Sequence, residues 1–171
     1  MIDYQKIYDE HKYYGVAMLD RCPSFRLLPR YHDFITFPLI DVGCGRGELI
    51  QFLNRIGSYI ADGIDIIDID NGMQVGDITK PFNCEIYKTA LCIDVVEHLT
   101  DEQLKGLFDN LVKIPRLVIT AHNGPSIEDG IELHINKKSF CDWEKVIKKH
   151  GFKIVRDVKI YNYQRLYCCE M

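Results

Sequence analysis

The residues of this chain that could do chemistry are a set of aspartates, a run of alternating glycines and a group of histidines. Leu39-Ile40-Asp41-Val42 leads straight into Gly43-Cys44-Gly45-Arg46-Gly47. Glycine tolerates positive φ and has no Cβ, so the backbone of such a turn can lie against a bound ligand, and a following helix aims its free N–H groups at the same place. Asp65 comes about twenty residues beyond the glycines, the separation at which open α/β folds hold a ribose hydroxyl. Two more acids follow short apolar runs: Asp77 in Gly76-Asp77-Ile78, and Asp94 in Asp94-Val95-Val96-Glu97-His98-Leu99. Taken singly, each aspartate serves equally well as a turn or cap residue. Placed together at strand ends, they form an acceptor set for hydroxyls and amines. His122 and His134 are candidate general bases and His98 a third, with hydrogen-bonding loop histidines as the plain alternative.

The elements that position these residues follow from periodicity. After residue 37, apolar runs alternate with helical patterns, the signature of a parallel sheet flanked by helices. Strands are expected at Phe37–Val42, Tyr59–Ile66, Met73–Val75, Thr89–Ile93 and Arg116–Thr120. Two further strands, near Phe152–Ile160 and Gln164–Cys169, form an antiparallel pair. Helices are expected from Glu48 to Ile56, stopped by Gly57, and after Thr100, where Thr100 and Gln103 make a capping box. A third is expected after Ser139, with Trp143, Val146 and Ile147 inward. A long loop from Ala121 to about Ile135 carries His122 and His134, and long loops at strand ends tend to carry function.

The bulk properties suit one domain. The chain has 171 residues, 47% of them hydrophobic and 27% charged, and its net charge of −4 argues against general polyanion binding. Lys137-Lys138 and Lys148-Lys149 read as solvated helix edges. The seven cysteines form no CxxC pair and read as reduced thiols. There is no apolar leader and no segment approaching the roughly 18 apolar residues of a membrane span, so a cytoplasmic protein without a membrane partner is expected. Oligomeric state has no signal in the sequence.

Four landmarks occur in register over about residues 37–169. Asp41 to Gly47 resembles motif I of the class I S-adenosylmethionine-dependent methyltransferases. Asp65 ends the second strand, Gly76-Asp77-Ile78 resembles the acidic turn after the third, and Asp94 to Leu99 resembles the segment after the fourth. A nicotinamide fingerprint instead wants a third glycine where this chain has Glu48. The resemblance implies a single-domain, Rossmann-like α/β fold, mostly parallel with an antiparallel C-terminal strand and helices on both faces. It occupies residues 37–171; residues 1–36 lie outside the shared motifs and are expected to form an N-terminal helical segment, read either as a helix packed on the sheet edge or as a lid over the site. It also implies S-adenosylmethionine as cofactor. Gly43, Cys44, Gly45 and Gly47 would pass beneath its methionine part, with Asp41 at the amino group or an ordered water. Asp65, beside Ile66, would accept from the ribose hydroxyls, Asp77 from the adenine amine, and the Ile78 N–H would meet a ring nitrogen. Asp94 would line the methionine end.

The implied activity is methyl transfer to an oxygen or nitrogen of a small acceptor: a metabolite, sugar or nucleotide. His122 or His134 would serve as base where the acceptor must lose a proton. No metal is assigned. One alternative is metal-assisted: Asp94-x-x-Glu97-His98 with a later histidine resembles the ExxEH motif and distal histidine of the small-RNA 3′-terminal 2′-O-methyltransferases, although the first acid here is Asp. Another is a non-catalytic S-adenosylmethionine-binding regulator. In the first 36 residues, Tyr4, Tyr8 and His11 share a helical face, and Tyr13-Tyr14-Gly15 is the candidate hinge of the lid.

Overall fold

In chain order the elements are α1 (Tyr4–Glu10), α2 (Pro23–Leu27), β1 (Leu39–Val42), α3 (Glu48–Ile56), β2 (Ala61–Asp65), β3 (Gln74–Val75) and β4 (Thr89–Cys92). Then come α4 (Asp101–Leu111), β5 (Arg116–His122), β6 (Ile127–Glu128), β7 (Ile131–Glu132), α5 (Phe140–Lys149), β8 (Lys153–Tyr161) and β9 (Gln164–Glu170). They come from a computed structural model that describes residues 4–10, 19–57, 59–68, 72–128 and 130–171, without the side chains of 8–10. The proposed hinge at Tyr13-Tyr14-Gly15 and the place of His11 on the helical face lie outside the described residues, as does the Tyr8 side chain.

Seven strands form one sheet in the order β3-β2-β1-β4-β5-β9-β8. β3, β2, β1, β4 and β5 run parallel, and β9 is antiparallel to both of its neighbours, β5 and β8. The chain therefore builds outward from β1 to β3, then crosses back to β4. That reversal opens a crevice beyond the carboxyl ends of β1 and β4, where ligands of open α/β sheets bind.

Alternation along the strands supplies both faces. Leu39, Leu91, Ile93 and Val118 meet Leu49, Ile50 and Leu53 of α3 on one side. Ile40, Ala90, Cys92 and Leu117 meet Leu104, Leu107 and Phe108 of α4 and Trp143 and Ile147 of α5 on the other. Residues 19–36 belong to the first layer: Tyr31 is fully buried and its hydroxyl donates to the Ser24 carbonyl at 2.6 Å. α4 starts with the expected capping box between Thr100 and Gln103. All seven cysteines are free, and Cys141 alone is exposed.

Two expectations change. β5 continues two residues beyond Thr120, because β9 pairs with it as far as His122↔Gln164, so His122 ends a strand and does not lie in the loop. The loop after it contains the hairpin β6–β7, turned through Gly130 at φ 78°. Strands of two residues are too short for alternation to show in the sequence. Strand starts also move inward: β1 begins at Leu39 after Pro38, which has no N–H to donate to a ladder.

Candidate active site

The glycine turn after β1 needs its glycines. Gly43 and Gly47 have φ of 79° and 67°, and a Cβ on Gly43 would lie 2.5 Å from Val95 Cγ2. Asp65 at the end of β2 fixes the turn from beside it. Its Oδ2 accepts the Gly45 N–H at 2.7 Å and its Oδ1 the Ile67 N–H at 3.2 Å. Burial raises the Asp65 pKa, and those backbone donors oppose the shift. Cys44 is buried within the turn, whereas Ile66 is exposed.

Asp41 lies beneath the turn, fully buried and hydrogen-bonded to the Ser24 side chain; burial pushes its carboxyl up to about 7. Its Oδ1 has no partner among the described residues. Asp77 is exposed beyond β3, with Oδ1 accepting the Thr79 N–H at 2.9 Å and hydroxyl at 2.6 Å, and Ile78 packs against the core beside it. The sheet thus carries Asp41 and Asp65 at, and Asp77 and Asp94 just beyond, the carboxyl ends of its parallel strands.

Asp94 is held in an unusual conformation for a reason. It has φ 55°, the only non-glycine positive value among the described residues. Its N–H donates to Thr120 Oγ1 at 2.7 Å, and its Oδ1 accepts from the Thr120 hydroxyl at 3.0 Å and from Gln164 Nε2 at 2.6 Å. The ends of β4, β5 and β9 are tied together at this carboxylate.

A 3₁₀ turn, Val96–His98, follows and points Glu97 inward. Glu97 is completely buried, and neither of its carboxylate oxygens has a partner among the described residues. Burial, with the Asp94 charge beside it, pushes its pKa well above the usual carboxylate range. An unpartnered buried carboxyl is costly, so the arrangement wants a ligand.

Two histidines face it. His98 Nδ1 lies 3.0 Å from the Leu133 carbonyl and His134 Nδ1 2.8 Å from the Gly124 carbonyl. A carbonyl only accepts, so both Nδ1 atoms carry the proton and both Nε2 atoms present a lone pair. Glu97, His98 and His134 each offer a ligand atom, and these atoms lie within 4.8 Å of one another. One carboxylate and two imidazoles oriented by carbonyls suit a divalent cation. Burial, then the neighbouring His134, lowers the His98 pKa to about 4, which keeps the ring neutral. Asp94, grouped with Glu97 and His98 in the metal alternative, stands apart: it is committed to Thr120 and Gln164.

His122 has the opposite orientation. Its Nδ1 accepts the Gly124 N–H at 3.2 Å, so the neutral ring carries its proton on Nε2 and acts there as a donor. The rings form a continuous row, with centroid separations of 4.9 Å (His98–His134), 4.5 Å (His134–His122), 4.7 Å (His122–Tyr163) and 5.6 Å (Tyr163–Tyr161).

Helix α1 crosses this edge. Tyr4 meets His98 edge-on at 5.8 Å, and the Gln5 side chain exchanges two hydrogen bonds with the Asp68 backbone beyond β2, at 2.9 and 3.3 Å. On the other side, a cavity of about 220 Å³ opens between α2 and the β8–β9 turn, walled by Arg26, Arg30, Ile160 and Tyr161, with Asp94 and Gln164 also lining it. Thr120, Gln164 and the two arginines were not singled out from the sequence. Gln164 could have been, as a polar residue opening an otherwise apolar strand.

Many solved structures share this architecture. An S-adenosylmethionine-dependent methyltransferase from Archaeoglobus fulgidus aligns with 99% of this chain and 100% of its own, at TM-score 0.67 and 16% identity. The methyltransferase domain of a bacterial CtHen1 aligns with 90% of this chain and 100% of its own, at TM-score 0.66 and 16% identity. A Pyrococcus horikoshii OT3 protein reaches TM-score 0.76 at 15% identity, over 98% of this chain and 99% of its own. No family model and no curated protein matches the sequence. Among the described residues no helix is long and apolar enough to cross a membrane. With this strand order, the glycine turn after β1 and these structural neighbours, the chain has the Rossmann-like fold of the class I S-adenosylmethionine-dependent methyltransferases.

Proposed function

We propose that the protein is an S-adenosylmethionine-dependent methyltransferase that acts on a hydroxyl oxygen of a small acceptor and uses a divalent cation at Glu97, His98 and His134. The observation that carries this reading is the buried, unpartnered Glu97 carboxylate with ligand atoms of His98 and His134 within 4.8 Å, at the edge that holds the glycine turn. A non-catalytic cofactor-binding protein has no use for such a cluster.

The donor set suits the cofactor. Asp65 takes the ribose hydroxyls while keeping the Gly45 N–H, since each carboxylate oxygen has a second lone pair. Asp77 has Oδ2 for the adenine amine, and the Ile78 N–H meets the ring. Gly43, Cys44, Gly45 and Gly47 bring the backbone close to the methionine part. Asp41 supports the turn from below, and Asp94 lines the methionine end. When bound, the cofactor would supply a methyl activated by a positive sulfonium whose leaving group is a neutral thioether. A cation at the Glu97 cluster would lower the pKa of the acceptor hydroxyl, so that its proton is lost to solvent as the acceptor binds. His134 contributes its Nε2 lone pair to that cluster, and His122 donates from Nε2 to orient the acceptor. Helix α1 covers the edge as a lid and excludes water.

The same cluster also favours a second reading, an RNA 2′-O-methyltransferase; the net charge of −4 and the small cavity favour the small acceptor. The test is transfer of labelled methyl from S-adenosylmethionine to a panel of sugars, nucleotides and short RNAs, with Mn²⁺ or with EDTA. Cation-dependent labelling of a small hydroxyl compound is expected. Labelling that EDTA leaves untouched would remove the metal from the account, and labelling of RNA alone would select the second reading.

A further inference from the structure

The cavity between α2 and the β8–β9 turn carries a charge pattern that the methyl-transfer chemistry does not use. Arg26 and Arg30 are four residues apart on the continuous helical run formed by α2 and the 3₁₀ turn Leu28–Arg30, and both side chains open onto the cavity. Like charges at this spacing repel one another. Three other arginines meet carboxylates: Arg156 pairs with Asp33 at 2.7 Å, Arg116 faces Glu170 at 3.6 Å, and Arg165 pairs with Asp157. Arg26 and Arg30 have no carboxylate partner among the described residues. Arg26 Nη2 donates to the Tyr161 hydroxyl at 3.3 Å, which aims the guanidinium along the cavity wall and leaves its other N–H groups for a ligand.

The position of this pair gives it a role. Asp94 and Gln164 line the same cavity, and Tyr161 on its wall ends the row of rings that begins at His98 and His134. The cationic pair thus shares its cavity with Asp94, whose segment continues into Glu97 and His98. We propose that Arg26 and Arg30 bind a compact oxyanion, a phosphate or carboxylate borne by the acceptor, and so hold its hydroxyl toward the Glu97 cluster. Paired guanidinium forks match the geometry of such an oxyanion. That the oxyanion belongs to an acceptor rests on the methyltransferase reading; that an oxyanion binds here does not. The other source of the same chemistry is the cofactor's own methionine carboxylate, and the experiment separates the two.

Inorganic phosphate is titrated into the full chain at constant ionic strength and followed by NMR, with and without saturating S-adenosylhomocysteine. The proteins are wild type, Arg26→Gln, Arg30→Gln and the double variant. Both arginines are exposed, so the variants keep the fold, which far-UV circular dichroism checks. The expected result is phosphate binding in the millimolar range that each substitution weakens by about tenfold, the loss of one charge-assisted contact. It persists in the presence of S-adenosylhomocysteine, whose own affinity stays within about twofold across the variants. Phosphate binding that is absent, or unchanged in the double variant, overturns the site. Phosphate displaced by S-adenosylhomocysteine, with a tenfold loss of S-adenosylhomocysteine affinity in the variants, assigns the arginines to the cofactor carboxylate and overturns the acceptor role. If wild type binds phosphate but not S-adenosylhomocysteine, the oxyanion site stands and the methyltransferase reading fails.

Discussion

Replacing Glu97 by methionine should stabilise the protein in chelator and make it blind to divalent cations. Glu97 is fully buried and both of its oxygens lack partners among the described residues. A buried polar group left unsatisfied costs about 1–3 kcal/mol, and more when charged. Methionine is similar in length and flexible enough to fill the same space without opening a cavity. His98 and His134 keep their carbonyl partners in the variant, so nothing new is orphaned. The expected gain in EDTA is about 1–3 kcal/mol, which for a chain of this size raises Tm by about 2–4 °C per kcal/mol. In Mn²⁺ the order reverses: wild type gains about 4.1 kcal/mol at one thousand times the dissociation constant, and Glu97→Met gains nothing. Scanning calorimetry of both proteins in EDTA and in Mn²⁺ reads all four values. A variant less stable than wild type in EDTA, or equal stabilisation of both by Mn²⁺, would refute the reasoning.

Four further outcomes follow from the same geometry. His134→Ala should abolish the Mn²⁺ response of Tm while His122→Ala keeps it, since His134 belongs to the Glu97 cluster and His122, in the opposite tautomer, does not. Asp65→Ala should weaken S-adenosylhomocysteine binding by at least about tenfold in calorimetry, losing both the ribose contact and the Gly45 anchor. Gly43→Ala should lower the urea midpoint by an amount worth about 1–2 kcal/mol or more, because φ is 79° and the added Cβ meets Val95. Asp41 has a folded pKa of about 7 against an ordinary 3.8, so the folded protein holds a proton that the unfolded chain releases. The stability this gives is complete below about pH 3.8 and is lost as pH rises through about 7. Cofactor-free Asp41→Asn should show a flatter stability profile over that window, and parallel profiles would contradict the assignment.

Much of the sheet was legible because its signals are local. The apolar run into Gly43, the helical spacing of Leu49, Leu53 and Ile56, and the capping box at Thr100 each specify an element within a few residues. The acids at strand ends were legible for the same reason, since the spacing of Asp65 from the glycines is itself the signal. What stayed hidden depends on pairing across the chain. His122 joins β5 only because Gln164 pairs with it, and the β6–β7 hairpin is too short to show a period. The histidine roles depend on which carbonyl or amide reaches each Nδ1, a matter of loop packing that residue type does not encode. Arg26 and Arg30 carry no signal in the sequence, since only the fold shows that no carboxylate among the described residues comes to meet them.

The most direct test of the central claim is calorimetric titration of S-adenosylhomocysteine into the purified protein, with NAD as control. Micromolar binding of S-adenosylhomocysteine and none of NAD is the expected result. No binding of S-adenosylhomocysteine at millimolar concentration, or binding of NAD in its place, would contradict it.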